Sequence, residues 1–234
     1  DYWLLATLGE AALIHGDLKQ AETYYRHAAD RASGRFADLS STRRQARLLL
    51  AHLDEDPSWL EDALAVPPVA VFTGHMVDGP SRPTPRFPAK LEDPVRREIR
   101  KRIETLRPAA AYGSAACGAD ILCLETMLDL GREIHIVLPF PPDEFRAVSV
   151  DHVAGSDWGE RFERVVAAAS SLVVASDHRA EGSVSTFEYA NLILTGMAVL
   201  RSQVLETGVV GLAVWGSLVV AAVKQLVALV NEVL

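Results

Sequence analysis

The feature that most constrains the fold is a five-fold alternation, after residue 68, of short apolar runs with longer segments of helical periodicity. Such alternation is typical of βα units, because each strand of a parallel sheet needs a crossover helix before the next. Right-handed crossovers leave few topologies, so we predict an α/β domain with a five-stranded parallel, doubly wound sheet. The predicted strands are Val69–Thr73, Ala109–Tyr112, Ile134–Leu138, Leu172–Ala175 and Val209–Val214. The predicted helices are Pro94–Leu106, Ala119–Leu130, Trp158–Ala169, Ser185–Arg201 and Leu218–Val233.

The first 53 residues are helical in pattern and contain no strand-like run. Small residues at Gly9, Ala21 and Ala28 would let two helices approach closely, Tyr25 would fill the groove between them, and Gly16 begins the turn. The spacing resembles one tetratricopeptide repeat, a helical hairpin of about 34 residues. An unrelated helical hairpin is the alternative.

The change from a helical pattern to alternating strand and helix patterns divides the chain into three predicted segments. We predict a tetratricopeptide-like helical segment over 1–53, with a third helix at Ser41–Leu53, a Pro-containing linker over 54–68, and the α/β domain over 69–234. A single repeat cannot bury both of its faces, so the helical segment is expected to be an interaction element for a protein partner.

Charge and cysteine content limit the classes of function. The 23 Lys and Arg against 31 Asp and Glu leave a net charge of −8, which argues against a nucleic-acid partner. The two cysteines, Cys117 and Cys123, are too few for a secreted disulfide framework, so we expect a reducing, cytoplasmic location. Metal-site and P-loop motifs are absent from the sequence, and we predict neither a metal nor a cofactor.

One apolar stretch, Thr207–Val223, has nearly the length of a membrane helix. Glycines at 208, 211 and 216 interrupt it, and a strand followed by a helix from Ser217 explains it better. We therefore predict no membrane span. The last helix is expected to close over the sheet, with a homodimer seam as the alternative.

Ligands of a doubly wound sheet bind at the carboxyl ends of its strands, which selects the loops to inspect. Gly74 and His75 end the first predicted strand, and Arg82 and Arg86 follow in a Pro-rich loop. Either guanidinium could reach a bound phosphate, since its planar fork matches phosphate oxygens. The imidazole is interpreted as a hydrogen-bonding or stacking group.

The second predicted strand ends in a turn of small residues before a helix. Such a turn can present backbone N–H groups to a phosphate, although close packing demands the same small residues. Cys117 has no neighbouring His or Asp in sequence that would make it a nucleophile. The candidate ligand-binding residues here are Gly113, Ser114, Ala115, Cys117, Gly118 and Asp120.

The fourth predicted strand is followed by hydroxyl groups and a carboxylate at a helix start. Ser183, Ser185 and Thr186 can cap the helix or hold phosphate, and Glu188 can bind a ribose or act as a base.

With these loops placed, residues 69–215 resemble the SLOG superfamily, a Rossmann-like nucleotide-binding group that includes the Smf/DprA and LOG proteins. The resemblance rests on Tyr112–Asp120, which is similar to the family's small-residue loop, and on Gly182–Glu188, at the place of its Gly-Gly-x-Gly-Thr-x-x-Glu loop. Phe72–His75 and Phe187–Asn191 are similar to bacterial proteins that join tetratricopeptide repeats to such a domain.

The resemblance implies a cytoplasmic signalling or sensor module that binds a nucleotide or nucleotide-derived ligand. Two family glycines are replaced here, and Glu188 follows Thr186 by two positions instead of three. This puts in doubt the first alternative, a LOG-like phosphoribohydrolase with Glu188 as catalytic acid. The second alternative is a protein-interaction scaffold without a ligand.

Overall fold

The structure is a computed structural model that describes residues 1–79, 82–178, 185–215 and 218–222. Residue contacts divide the chain into two units, Asp1–Pro67 with Gln203–Thr207, and Pro68–Ser202 with Gly208–Leu234. The second unit therefore begins within one residue of the predicted α/β domain. Residues 54–67 of the segment predicted as a linker belong to the first unit.

The first unit is helical, as predicted. Its helices are α1 (Tyr2–Ile14), α2 (Leu18–Arg31), α3 (Phe36–His52) and α4 (Leu60–Ala63). A Cβ on Gly9 would lie only 2.7 Å from the ring of Tyr25, so a larger residue would separate α1 from α2. Asp17 begins α2 by accepting a hydrogen bond from the Gln20 amide at 3.0 Å. The α4 helix lies within the predicted linker, where Leu60 and Leu64 are fully buried.

The second unit is built on a sheet whose first five strands are all parallel. The strands are β1 (Val69–Gly74), β2 (Ala110–Gly113), β3 (Glu133–Leu138), β4 (Ser171–Val174), β5 (Val209–Trp215) and β6 (Leu218–Ala222). Their order is β4-β3-β2-β1-β5-β6. The chain thus builds outward from β1 to β4 and returns to the other side of β1, which places the reversal of strand order between β1 and β5.

The sequence prediction for residues 218–222 is wrong. Leu218–Ala222 form β6, antiparallel to β5, where we expected the start of a helix. The expected helix cap Ser217 and the rest of that helix, 223–233, lie outside the described residues.

Helices cover both faces of the sheet. They are α5 (Glu92–Leu106), α6 (Ala119–Asp129), α7 (Pro142–Ser149), α8 (Trp158–Ala168) and α9 (Ser185–Val204). Residues of α5, α6 and α8 form the main core with Phe72 and Ile136. The next residues along those strands, Thr73 and Val137, point to the opposite face and share a cavity with residues of α9. Within the described ranges, none of these helices combines the length and apolarity needed to cross a lipid bilayer.

Candidate functional site

A pocket of about 300 Å³ opens at the carboxyl ends of β1 and β3 in the second unit. This volume is at the lower end of the range for small-molecule sites, roughly 300–1,000 Å³. The strand ends and loops contribute Phe72, Thr73, Gly74, His75, Met76, Arg86, Ser114, Ala116, Asp120, Val137 and Pro139. Helices α7 and α9 contribute Phe145, Val148, Ser149, Phe187, Ala190, Asn191 and Leu194. Five of the predicted ligand-binding residues, Gly74, His75, Arg86, Ser114 and Asp120, are therefore brought together.

Two larger cavities in the same unit are poorer candidates. One of 440 Å³ is lined by Arg107 and Leu130, next to the carboxyl termini of α5 and α6, where helix carbonyls disfavour an anion. The other, of 380 Å³, contains Arg96, Arg161 and Arg164, and all three guanidiniums are paired with the carboxylate of Glu125. Because a carboxylate of the protein already pairs with these guanidiniums, they are poor candidates for binding an anionic ligand.

The end of β1 is built around Gly74. A Cβ there would lie 2.5 Å from the Cβ of Ala119 and 2.8 Å from the carbonyl oxygen of Val214, so only glycine fits. The next amide, His75 N, donates to that same carbonyl at 3.2 Å and ties the end of β1 to β5. Gly74 therefore permits the close packing that brings the following residue to the pocket.

His75 is buried, and its ring lies 4.5 Å from the ring of Trp215, centroid to centroid. Burial lowers the pKa of His75, and the positive charges of Arg86 and Arg82 lower it further. The imidazole is therefore neutral at neutral pH. The ring contact with Trp215 allows a stacking role, and the hydrogen-bonding role of the imidazole stays a prediction.

The two candidate arginines differ in the structure. Arg86 is exposed and lines the pocket, while Arg82 makes an ion pair with Asp78 at 3.3 Å and donates to the carbonyl oxygen of Thr84 at 3.1 Å. Asp78 also accepts the backbone amides of Arg86 and Phe87, at 2.8 and 2.9 Å. One carboxylate thus shapes the loop, engages Arg82 and holds the backbone from which the Arg86 side chain extends.

The turn predicted to cradle a phosphate uses several of its amides internally. The amides of Ala116, Cys117 and Ala119 donate to the Asp120 carboxylate, the Ser149 carbonyl and the His75 carbonyl, at 3.3, 2.9 and 3.2 Å. Three N–H groups are therefore turned toward protein acceptors. The small residues of this turn serve close packing, which was the alternative reading of the pattern.

The backbone conformation and close packing at position 118 require glycine. The φ of Gly118 is +109°, and a Cβ would lie 2.8 Å from the carbonyl oxygen of His75. The neighbouring predicted residues Gly113, Ala115 and Cys117 are buried as well, and none of them is among the described residues that line the pocket.

Cys117 is fully buried, with its Sγ 3.7 Å from Nδ1 of His152. Burial raises the pKa of this thiol to about 12, so it stays protonated. Nε2 of His152 in turn lies 2.9 Å from the carbonyl oxygen of Val77. This cysteine is a packing residue.

Asp120 is the most unusual group in the pocket. It lies in the first turn of α6 with only 9% of its surface exposed, and its Oδ2 accepts the Ala116 amide. Burial raises the pKa of its carboxyl group to about 7, against the lowering effect of that hydrogen bond. Both protonation states are therefore accessible at neutral pH, which is typical of functional acids.

Helix α9 contributes apolar side chains and one side-chain amide to the pocket. Phe187, Leu194 and Asn191 line the pocket, whereas Glu188 is exposed and lies outside the described lining. Ser185 and Thr186 form the first residues of the helix, and Ser183 lies outside the described residues.

Some lining residues were missed from the sequence. Ser149, Val148 and Phe145 come from α7, a helix that is not among those predicted from the sequence. Pro142 at its first position, followed by Asp143 and Glu144, is a helix-start signal that could have revealed it.

Comparison with known proteins does not assign the chain. No protein-family model matches it, and a search of curated proteins found no significant match. Among the described residues, no cluster of three or more His, Cys, Asp or Glu is arranged to hold a metal ion.

Proposed function

We propose that the second unit is a binding module for a nucleotide or nucleotide-derived ligand, and that the whole chain is a cytoplasmic signalling or sensor protein. The observation that carries this proposal is the pocket at the carboxyl edge of the parallel sheet, where a cation, a buried acid and aromatic rings converge. This combination suits a ligand with an anionic group, a polar ring edge and a flat ring face.

The aromatic residues of the pocket favour a ligand that contains a flat ring. Phe145 and Phe187 line the pocket, and Phe140 packs against both, with ring centroids 6.1 and 5.4 Å away. Phe187 is half-buried and can offer a stacking surface to a base, a contact worth about 1–3 kcal/mol where bases stack on aromatic side chains, whereas Phe140 and Phe145 are fully buried in the core.

The charges orient the ligand. Arg86 is exposed at the opening of the pocket, and Asp120 is buried inside it. A phosphate beside an ionised carboxylate would be repelled, so the phosphate is expected at Arg86 and the base toward Asp120. This orientation replaces the predicted phosphate position at the turn 113–118.

The first unit would supply the protein contact, as the resemblance to a tetratricopeptide repeat implies. Its α1 helix exposes Trp3, Leu4, Leu8 and Ile14, which are apolar side chains that a partner could cover.

The matched pair Arg86→Gln and Arg82→Gln tests the proposal. Isothermal titration with nucleoside mono-, di- and triphosphates should give binding to the unaltered protein that Arg86→Gln weakens about ten-fold and Arg82→Gln changes little. Mass spectrometry of the denatured protein should also detect a co-purified ligand. A panel that is silent at millimolar concentration would reject the binding module and favour a scaffold.

Hydrolysis is tested with the same nucleoside monophosphates, by looking for released base. Because Glu188 lies outside the described lining, we expect no release of base from the monophosphates. Base release that Glu188→Gln abolishes would instead establish the phosphoribohydrolase.

A further inference from the structure

We propose that Asp120 determines the base specificity of this pocket: as a carboxylate it accepts two adjacent N–H donors, which makes a guanine nucleotide the preferred ligand. The inference rests on the proposed function, because it names the base that the nucleotide site selects.

The position of Asp120 supplies the first argument. Asp120 lines the pocket, is nine-tenths buried, and accepts the Ala116 amide at 3.3 Å with its Oδ2. An ionised carboxylate has about four acceptor positions, so one amide leaves capacity for a ligand. A buried carboxylate that is not compensated by such bonds is costly, and ligand N–H groups would remove that cost.

The surroundings of Asp120 supply the second argument. The titratable groups that line the pocket with it are His75 and Arg86, both from the segment after β1, and the imidazole is neutral. The described lining from β3, α7 and α9 carries no titratable side chain. The nearby thiols of Cys117 and Cys123 are held protonated by burial, and no ion pair to Asp120 occurs among the described residues. Among the described residues no charged side chain donates to this carboxylate, so ligand N–H groups can fill the remaining acceptor positions beside the neutral donors Thr73, Ser114 and Asn191 of the lining.

The chemistry of the bases then discriminates. Guanine presents N1–H and its 2-amino group side by side, which matches the two oxygens of a carboxylate. Adenine presents a ring nitrogen acceptor beside its 6-amino donor, and this edge matches only a protonated carboxyl group, which has one donor and one acceptor. Buried sites that lose a hydrogen-bond partner discriminate strongly, because the site's own polar group is left unpaired.

The protonation state of Asp120 links this specificity to pH. Above neutral pH the carboxylate dominates and guanine is favoured, whereas acidification produces the form that accepts adenine. An amide side chain carries a donor and an acceptor at every pH, so Asp120→Asn should behave as the permanently protonated form.

The experiment is isothermal titration of guanosine and adenosine monophosphate at pH 6 and pH 8. The ratio of the two affinities cancels the titration of the phosphate, which both probes share. In the unaltered protein we expect the guanosine probe to be preferred about ten-fold to 100-fold at pH 8 and less at pH 6. Asp120→Asn should lose both the preference and its pH dependence. The control Asp93→Asn makes the same exchange at an exposed position in the first turn of α5 and should retain both.

A third probe requires no variant. Inosine monophosphate keeps N1–H and lacks the 2-amino group, so it should bind the unaltered protein about ten-fold more weakly than guanosine monophosphate at pH 8. Equal binding of guanosine and adenosine probes at both pH values would overturn the specificity while leaving the nucleotide site standing. Binding of neither probe nor any other nucleotide would overturn the nucleotide site and this inference with it.

Discussion

Two buried ionisable side chains, one in each unit, differ in how many hydrogen-bond partners the protein supplies to them. Arg43 in α3 is 2% exposed; its guanidinium pairs with Glu61 at 3.1 Å and donates to the carbonyl oxygens of Leu205 and Glu206 at 3.1 and 2.5 Å. Asp120 is 9% exposed and accepts a single amide at 3.3 Å. The first charge is compensated by its own unit, so it stabilises structure. The second is poorly compensated, which points to binding.

The largest expected effect comes from removing the compensated charge. Arg43→Met should lower the free energy of unfolding by about 2–4 kcal/mol, because it leaves the carbonyl groups of Leu205 and Glu206 without their donor. Urea denaturation followed by circular dichroism measures the loss. The control Arg44→Met removes a half-exposed partner of Glu206 and should cost less than about 1 kcal/mol. Equal losses in the two variants would contradict the comparison.

Removing the poorly compensated charge should have the opposite sign. Between about pH 4 and pH 7 the unfolded chain has released the Asp120 proton while the folded protein retains it, so rising pH lowers the free energy of unfolding. Asp120→Asn should therefore be more stable than the unaltered protein at pH 8, by roughly 1–3 kcal/mol, and no more stable near pH 4.

Melting temperatures over this pH range measure that difference. Asp93→Asn, exposed in the first turn of α5, should show no comparable pH-dependent gain. A variant at Asp120 that destabilises the protein equally at all pH values would show that the carboxyl group is structural.

His75 should give the smallest effect, with the reverse dependence on pH. Because its folded-state pKa is lowered, acidification below about pH 6.5 protonates the unfolded chain first and reduces stability as pH falls. His75→Gln should remove part of the decrease in melting temperature between pH 6.5 and pH 5, by a few degrees at most. His178→Gln, at an exposed site of the same unit, is the control and should leave the decrease intact.

Much of the second unit could be predicted from the sequence because its pattern is local. The five parallel strands were predicted to within one residue at each end. The error at 218–222 has a tertiary origin: the run Leu218-Val219-Val220 suits either a helix or a strand, and the free edge of β5 decided in favour of the strand.

The candidate site was predictable where it follows a strand end and not elsewhere. Gly74, His75, Arg86 and Asp120 were found because the carboxyl ends of parallel strands meet at one edge. Ser149 was missed because it lies on α7, a helix that we did not predict, and Asn191 was noted only as the end of the resemblance motif Phe187–Asn191.

By itself the sequence determined the five parallel strands, four of the helices that cover them, the helical character of the first unit and the loops in which a ligand site had to lie. Local spacing carries that information, since apolar periodicity and glycine positions reflect the backbone of each segment. Only the tertiary structure decided that Arg86 and not Arg82 lines the pocket, that the turn's amides serve the protein, and that Asp120 is buried. Those outcomes depend on which distant atoms supply hydrogen bonds and exclude water, and separation along the chain does not encode them.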